Sequence, residues 1–189
     1  MLIGITGTIS SGKSTIAKYL RSKGFQVLDA DTIAKVFLDN EEIIDILINR
    51  YGTGIICNGV VERQKLGMII FNDAKERKFL NELIHPLVIA KINEYDHQGI
   101  LVFVEVPLLY EAAMEDMFDK IIVIYTDNKT IISRLIKRDN ISSEFALKKI
   151  QSQIDIDEKV KQADYVIDNS QDLEKTYNQI ELLLRRLTK

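Results

Sequence analysis

The chain has a single cysteine, Cys57, among its 189 residues. No internal disulfide can form, and a reducing compartment is expected. No histidine lies near Cys57 to activate a thiolate, so it reads as a small buried apolar residue and not as a nucleophile. Proline is almost as scarce. Pro86 and Pro107 are the only two, which excludes a Pro-rich linker and favours a continuous compact unit. No apolar run has the length of a bilayer span. The N-terminal apolar run is broken at Gly4 and has no basic flank, so no signal peptide is expected and the cytoplasm is the predicted compartment. Internal repeats and low-complexity segments are also missing. The net charge of −3 argues against a nucleic-acid partner. What remains is ordinary for a globular domain: 46% hydrophobic and 28% charged residues. A chain of this length buries about 70% of its unfolded surface, enough for one α/β domain with insertions.

The most informative stretch runs from Leu2 to Leu20. Leu2, Ile3 and Ile5 predict a short buried strand. Gly7 ends it, a loop of mostly small or polar residues follows, and Ile16, Ala17 and Leu20 recur at helical spacing. Gly7, Gly12, Lys13 and Ser14 fill the fixed positions of G-x-x-x-x-G-K-S/T, a phosphate-binding loop. Such a loop must turn backbone N–H groups inward, which forces positive φ at some positions. The helix behind it brings roughly half a positive charge to the same phosphates. Ser10, Ser11, Gly12, Lys13, Ser14 and Thr15 are therefore the candidate cradle for a nucleoside triphosphate. Lys13 reaches the β- and γ-phosphates, and Ser14 offers its hydroxyl to Mg²⁺.

Further on, Phe25–Leu28 predicts a second strand, running into Asp29-Ala30-Asp31. Carboxylates at a strand's carboxyl end fall where ligands bind open parallel sheets, although one of the two could simply cap the next helix. Asp29 is assigned the structural task and Asp31 the chemical one. From Asn40 to about Gln98 the pattern is mainly helical, with a turn at Asn58-Gly59. Asp73 and Glu76 suggest a capping box, and Pro86 is expected to kink or restart its helix at His85. Ile100–Pro107 predicts a buried parallel strand with Glu105 near its end, suited to a metal-bound water or a substrate. Lys120–Tyr125 and Tyr165–Asp168 predict two more strands. Between them, a helix from Asn128 carries Arg134, Lys137 and Arg138, and Ser142 or Ser143 is positioned to cap a helix through Ile154. The polar segment 139–143 and this basic cluster suggest a lid. A last helix, from about Asp172 to Leu187, would pack Leu173, Tyr177, Ile180 and Leu184 on the sheet. Five strands alternating with helices imply an α/β fold, a parallel sheet with helices on both sides.

Several features together resemble the dephospho-CoA kinases: Thr6-Gly7 through Ser14-Thr15, Asp29-Ala30-Asp31, Arg63 with Leu66 and Phe71, Leu80-Asn81 with His85-Pro86-Leu87, Val106-Pro107-Leu108-Leu109 with Glu111, Arg134 with Arg138-Asp139, Gln153 with Lys159, and Ala163–Ile167 with Asn169. The resemblance implies a three-layer P-loop NTPase fold. Its core would comprise residues 1–36, 99–126 and 163–189, its helical substrate-binding insertion 37–98 and its lid 127–162. It also implies transfer of the γ-phosphoryl of ATP, with Mg²⁺, to the ribose 3′-hydroxyl of dephospho-CoA. In that scheme Asp31 accepts the hydroxyl proton and Arg134 and Arg138 neutralise the migrating group. Lys35, Arg63, His85 and Glu105 hold the acceptor, and Asn169 borders the adenine. ATP and dephospho-CoA are the implied partners, without nucleic acid or membrane, acting on a monomer or weak homo-oligomer. This chain departs from the family pattern at Thr8 and Ser10 (usually glycine), Lys35 (arginine), Glu105 (aspartate), Asp155 (proline) and Gln171 (glycine); none removes a group the chemistry needs. The nearest alternative is another P-loop nucleoside, nucleotide or small-metabolite kinase. A GTPase-type switch is disfavoured because Asn128-Lys129-Thr130-Ile131 lacks the base-selecting aspartate.

Overall fold

A computed structural model describes residues 1–96 and 100–188. The expected end of the helical stretch near Gln98 lies outside the described residues. In chain order the elements are β1 (Leu2–Gly7), α1 (Lys13–Ser22), β2 (Gln26–Asp29), α2 (Ala30–Leu38), α3 (Glu41–Tyr51), β3 (Ile56–Cys57), β4 (Val60–Val61), α4 (Arg63–Asn72) and α5 (Ala74–Asp96). They continue as β5 (Val102–Glu105), β6 (Lys120–Tyr125), α6 (Asn128–Asp139), α7 (Ser143–Gln151), α8 (Ile156–Gln162), β7 (Tyr165–Asp168) and α9 (Leu173–Leu187). The chain divides into two compact units, Met1–Leu28 with Gly99–Lys189, and Asp29–Gln98.

The larger unit is organised on a five-stranded parallel sheet of order β2-β5-β1-β6-β7, the predicted α/β fold. β1 lies at its centre, paired with β5 and β6, and Ile5 stands level with Glu105 and Ile122. Its six residues are all buried, as expected of a strand covered on both faces. Ile3, Ile5, Phe103, Ile122 and Ile124 pack with Ile16, Ala17 and Leu20 of α1 and with Ile180, Leu183 and Leu184 of α9. Each such side chain contributes roughly 1.5–3 kcal/mol when fully buried, which fixes the strand ends that carry the loops. Leu173, expected in this core, is 46% exposed. It occupies the first turn of α9, ahead of the stripe that begins at Thr176. One further expectation needs correction. The helix opened by Ser142, whose hydroxyl accepts from the Phe145 N–H, stops at Gln151 and not at Ile154. A separate helix, α8, then starts behind Asp155, whose carboxylate accepts from the Asp157 N–H.

From Ala30 to Asp96 the second unit is mainly helical, with one hairpin. Asn58 and Gly59 both have positive φ, 52° and 80°, the backbone of a two-residue I′ turn. This closes β3 on β4. Cys57 pairs with Val60, which is 48% exposed, and is itself exposed, not buried as expected. α5 continues through Pro86, so the helix does not restart at His85. An interior proline costs ~3 kcal/mol, but Leu80, Ile84, Val88 and Ile92 form a buried stripe on both sides of it. Four such side chains outweigh that cost. The capping box is half formed. The Asp73 carboxylate accepts from the Lys75 N–H, but the Asp73 N–H is already bonded to the Ile69 carbonyl of the preceding helix.

Glu76 is consequently used elsewhere. It accepts from the Arg50 guanidinium and from the Tyr51 hydroxyl at 2.7 Å, while Arg50 also lies over the Phe79 ring. These bonds, Arg50 first, lower the Glu76 carboxyl from its ordinary 4.5 to about 2. A depressed carboxylate stabilises the fold fully above its unfolded pKa and loses that contribution as pH falls through the folded one. Acid titration followed by circular dichroism should therefore show helix stability declining between about pH 4.5 and 2. Glu76→Gln should remove the Glu76 share and make this decline shallower, and a Glu76→Gln profile matching the wild type would disprove the assignment.

Candidate active site

Between β1 and α1 the chain forms the predicted loop. Gly12 has φ +96°, and a Cβ there would sit 2.1 Å from Asn169 Nδ2, so only glycine fits. The Ser11 carbonyl accepts from Asn169 Nδ2 at 2.7 Å, Thr126 Oγ1 at 3.0 Å and Arg134 Nη1 at 3.5 Å. In a trans peptide the C=O and the following N–H point oppositely. Holding this oxygen on one side thus turns the Gly12 N–H to the other, as an anion cradle requires. Ser10 adopts φ 59°, a left-handed conformation that the usual glycine would accept more readily. Thr8 is buried, its carbonyl accepting from the Ser11 N–H. Thr15 lies in the first turn of α1, its N–H donating to the Gly12 carbonyl.

Lys13 is 7% exposed and donates through Nζ to the carbonyls of Gly7 at 3.1 Å and Thr8 at 2.8 Å. The cation is thereby held against the loop it follows. Ser14 Oγ donates to Glu105 Oε1 at 2.8 Å. Glu105 itself is buried at the end of β5. Of its two expected uses, metal-bound water or substrate, this contact favours the first: a hydroxyl and a carboxylate are the hard oxygen groups suited to Mg²⁺. Among the described residues no cluster of three or more His, Cys, Asp or Glu could hold a metal alone. Mg²⁺ usually completes its octahedron with water and substrate phosphates, so the pair fits it.

Arg134 and Arg138, both on α6, have different partners. Arg134 reaches the Ser10 and Ser11 carbonyls at 3.4 and 3.5 Å and the Asn169 carbonyl at 2.9 Å, so it stands beside the loop. Arg138 bonds instead to both carboxylate oxygens of Asp139. Lys149 of α7 reaches the same carboxylate at 2.8 Å. Arg138 and then Lys149 hold the Asp139 carboxyl well below the usual carboxylate range. Asn169, expected to border the adenine, is 2% exposed. Its amide bridges the Ser11 carbonyl and the Thr176 hydroxyl, which makes it a brace beneath the loop. Thr126 and Gln153, the latter accepting from the Ile9 N–H at 2.8 Å, also touch the loop; sequence reading assigned neither a role.

In the 29–98 unit, Asp29 accepts from the Thr32 N–H and hydroxyl. It caps α2, as expected. Asp31 is exposed in the first turn of that helix and Lys35 follows one turn later, a spacing that shares a helix face. Arg63 donates to the Asp39 carboxylate and to the Lys35 carbonyl, joining the start of α4 to the end of α2. His85 is half-buried on α5, and burial pushes its pKa down, favouring neutral imidazole.

A phosphate loop alone leaves many kinases possible. A family model described as CoaE, dephospho-CoA kinase, matches residues 1–175. The chain belongs to the dephospho-CoA kinase family. A dephospho-CoA kinase of Listeria monocytogenes serotype 4b is 39% identical over 194 residues, covering 99% of this chain and 97% of that one. The crystal structure of a Thermus thermophilus protein superposes with a TM-score of 0.84 at 31% identity, covering 100% of this chain and 98% of the other. The dephospho-CoA kinase from Campylobacter jejuni gives a TM-score of 0.75 at 33% identity, covering 98% and 96%. The chain carries Lys13, Ser14, Asp31 and Arg134, and among its described residues no helix is long and apolar enough to cross a membrane.

Proposed function

We propose that the protein transfers the γ-phosphoryl group of ATP to the ribose 3′-hydroxyl of dephospho-CoA, giving coenzyme A and ADP in the last step of coenzyme A synthesis. The observation that carries this reading is the Lys13 cradle with its Ser14–Glu105 pair in a chain of this family. Phosphoryl transfer passes through a loose transition state with charge on peripheral oxygens, so positioning and electrostatics do most of the catalysis. Ser10, Ser11, Gly12 and Thr15 bind the phosphates through the loop and helix terminus, and Lys13 spans the β- and γ-groups. Ser14 and Glu105 would hold Mg²⁺ and its water, which supplies charge neutralisation at the phosphates. Asp31 orients the acceptor hydroxyl and takes its proton. Lys35, Arg63 and His85 hold the phosphates or ribose of dephospho-CoA. Arg134 stabilises the migrating group, and Arg138 joins it after leaving Asp139, whose charge Lys149 still offsets.

Three further parts of the reading are proposals of the same kind. Residues 127–162 act as a lid over a core with a helical acceptor-binding insertion. The protein works as a monomer or weak homo-oligomer. It resides in the cytoplasm, in keeping with its single cysteine. The deciding experiment measures ADP release from MgATP with and without dephospho-CoA. Release should depend on dephospho-CoA and yield a product phosphorylated at the 3′-oxygen. Inert dephospho-CoA beside turnover of another small alcohol would replace this reading with that of a sister kinase.

A further inference from the structure

The turn between α7 and α8 is tied at two adjacent residues to two different parts of the larger unit. At Gln153 the side-chain oxygen accepts from the Ile9 N–H, in the phosphate loop, at 2.8 Å. At Ile154 the backbone N–H donates to Glu111 Oε1 at 3.0 Å. Glu111 lies six residues beyond Glu105, past the end of β5, and the same oxygen stands 2.7 Å from Lys159 Nζ. Lys159, on α8, is 0% exposed. This lysine meets Glu111 as an ion pair set off the hydrogen-bond direction. A charge so buried holds its partner firmly, because separation would leave both desolvated. Ile9 is also held by its side chain, which packs on the Ile131, Leu135 and Ala146 cluster of α6 and α7.

We infer that Gln153 is a positioning residue for ATP: its side-chain carbonyl sets the Ile9 peptide of the phosphate loop, and the Glu111–Lys159 ion pair sets Gln153. The segment from β5 to Glu111 then supports the loop at both ends, through Glu105 at Ser14 and through Gln153 at Ile9. Without the amide acceptor the Ile9 N–H turns to solvent, and the loop samples backbone states that do not match a polyphosphate. The cost falls on ATP alone, because ordering the loop must then be supplied by nucleotide binding.

This inference rests on the reading that the loop binds ATP, and its test uses that step without the acceptor. MgATP affinity of the full chain is measured by calorimetry, then the KM of each substrate. Gln153→Leu should weaken MgATP binding roughly three- to tenfold, the value of one hydrogen bond, and raise the KM for ATP to match. Its KM for dephospho-CoA and its Tm should stay near wild type. Gln153→Met, equally unable to accept from Ile9, should behave like Gln153→Leu. Lys159→Met should reproduce the ATP defect, and Glu111→Gln with Lys159→Met should relieve it, since an amide oxygen can still accept from Ile154 without a buried charge. Unchanged MgATP affinity in both Gln153 variants would overturn the inference while leaving the kinase reading intact. Parallel losses in both KM values and in Tm would also overturn it, marking Gln153 as structural only. Failure of the wild type to bind MgATP would overturn the functional reading and this inference with it.

Discussion

Replacing Lys13 by alanine is expected to lower ATP binding and turnover together, with kcat/KM falling on the order of 10²–10³, the loss typical of removing one preorganised electrostatic donor. Lys13 is 7% exposed, and its ammonium is bonded to the Gly7 and Thr8 carbonyls at the entry of the loop. Its field therefore acts where little water competes, and a charge there is worth far more than on an open surface. Alanine also leaves two loop carbonyls without this donor, so a modest fall in Tm should accompany the kinetic loss. A fall in Tm with unchanged kinetics would show that the side chain only shapes the loop.

Asp31→Asn is expected to lower kcat by about 10² or more, the low end of what general-base catalysis contributes. Asparagine preserves size and hydrogen-bonding capacity but cannot accept the proton of an alcohol, so the KM values of both substrates should change little. The fold should tolerate the change well. Asp29 carries the helix cap through both carboxylate oxygens, and Asp31 is exposed. Losing a negative charge near a helix N-terminus costs about 0.3–1 kcal/mol. Normal turnover by Asp31→Asn would remove this residue from the mechanism.

Some details were open to reading because their causes are local. The Asn58-Gly59 turn follows from two residues that tolerate positive φ. Asp29 as cap and Asp31 as the residue beyond it follow from their offsets to the first helical turn. The start of α8 had a signal too, Asp155 followed three residues later by Glu158. The helix does not restart at Pro86 because four buried aliphatic side chains outweigh the local cost of the proline. Cys57 misled because its burial depends on what covers a two-residue strand.

By itself the sequence determined the phosphate loop, the alternation of strands and helices, and the family, since each depends on spacing along the chain. Only the tertiary structure decided the partners of that loop. Ser14 meets Glu105 across 91 residues, Ile9 meets Gln153 across 144 and Ser11 meets Asn169 across 158. Those pairings depend on strand order, which sets β5 on one side of β1 and β6 then β7 on the other. Helix and strand periods carry no information about which carboxylate or amide arrives beside a given hydroxyl. That is settled when the sheet buries its apolar faces and brings the strand ends level.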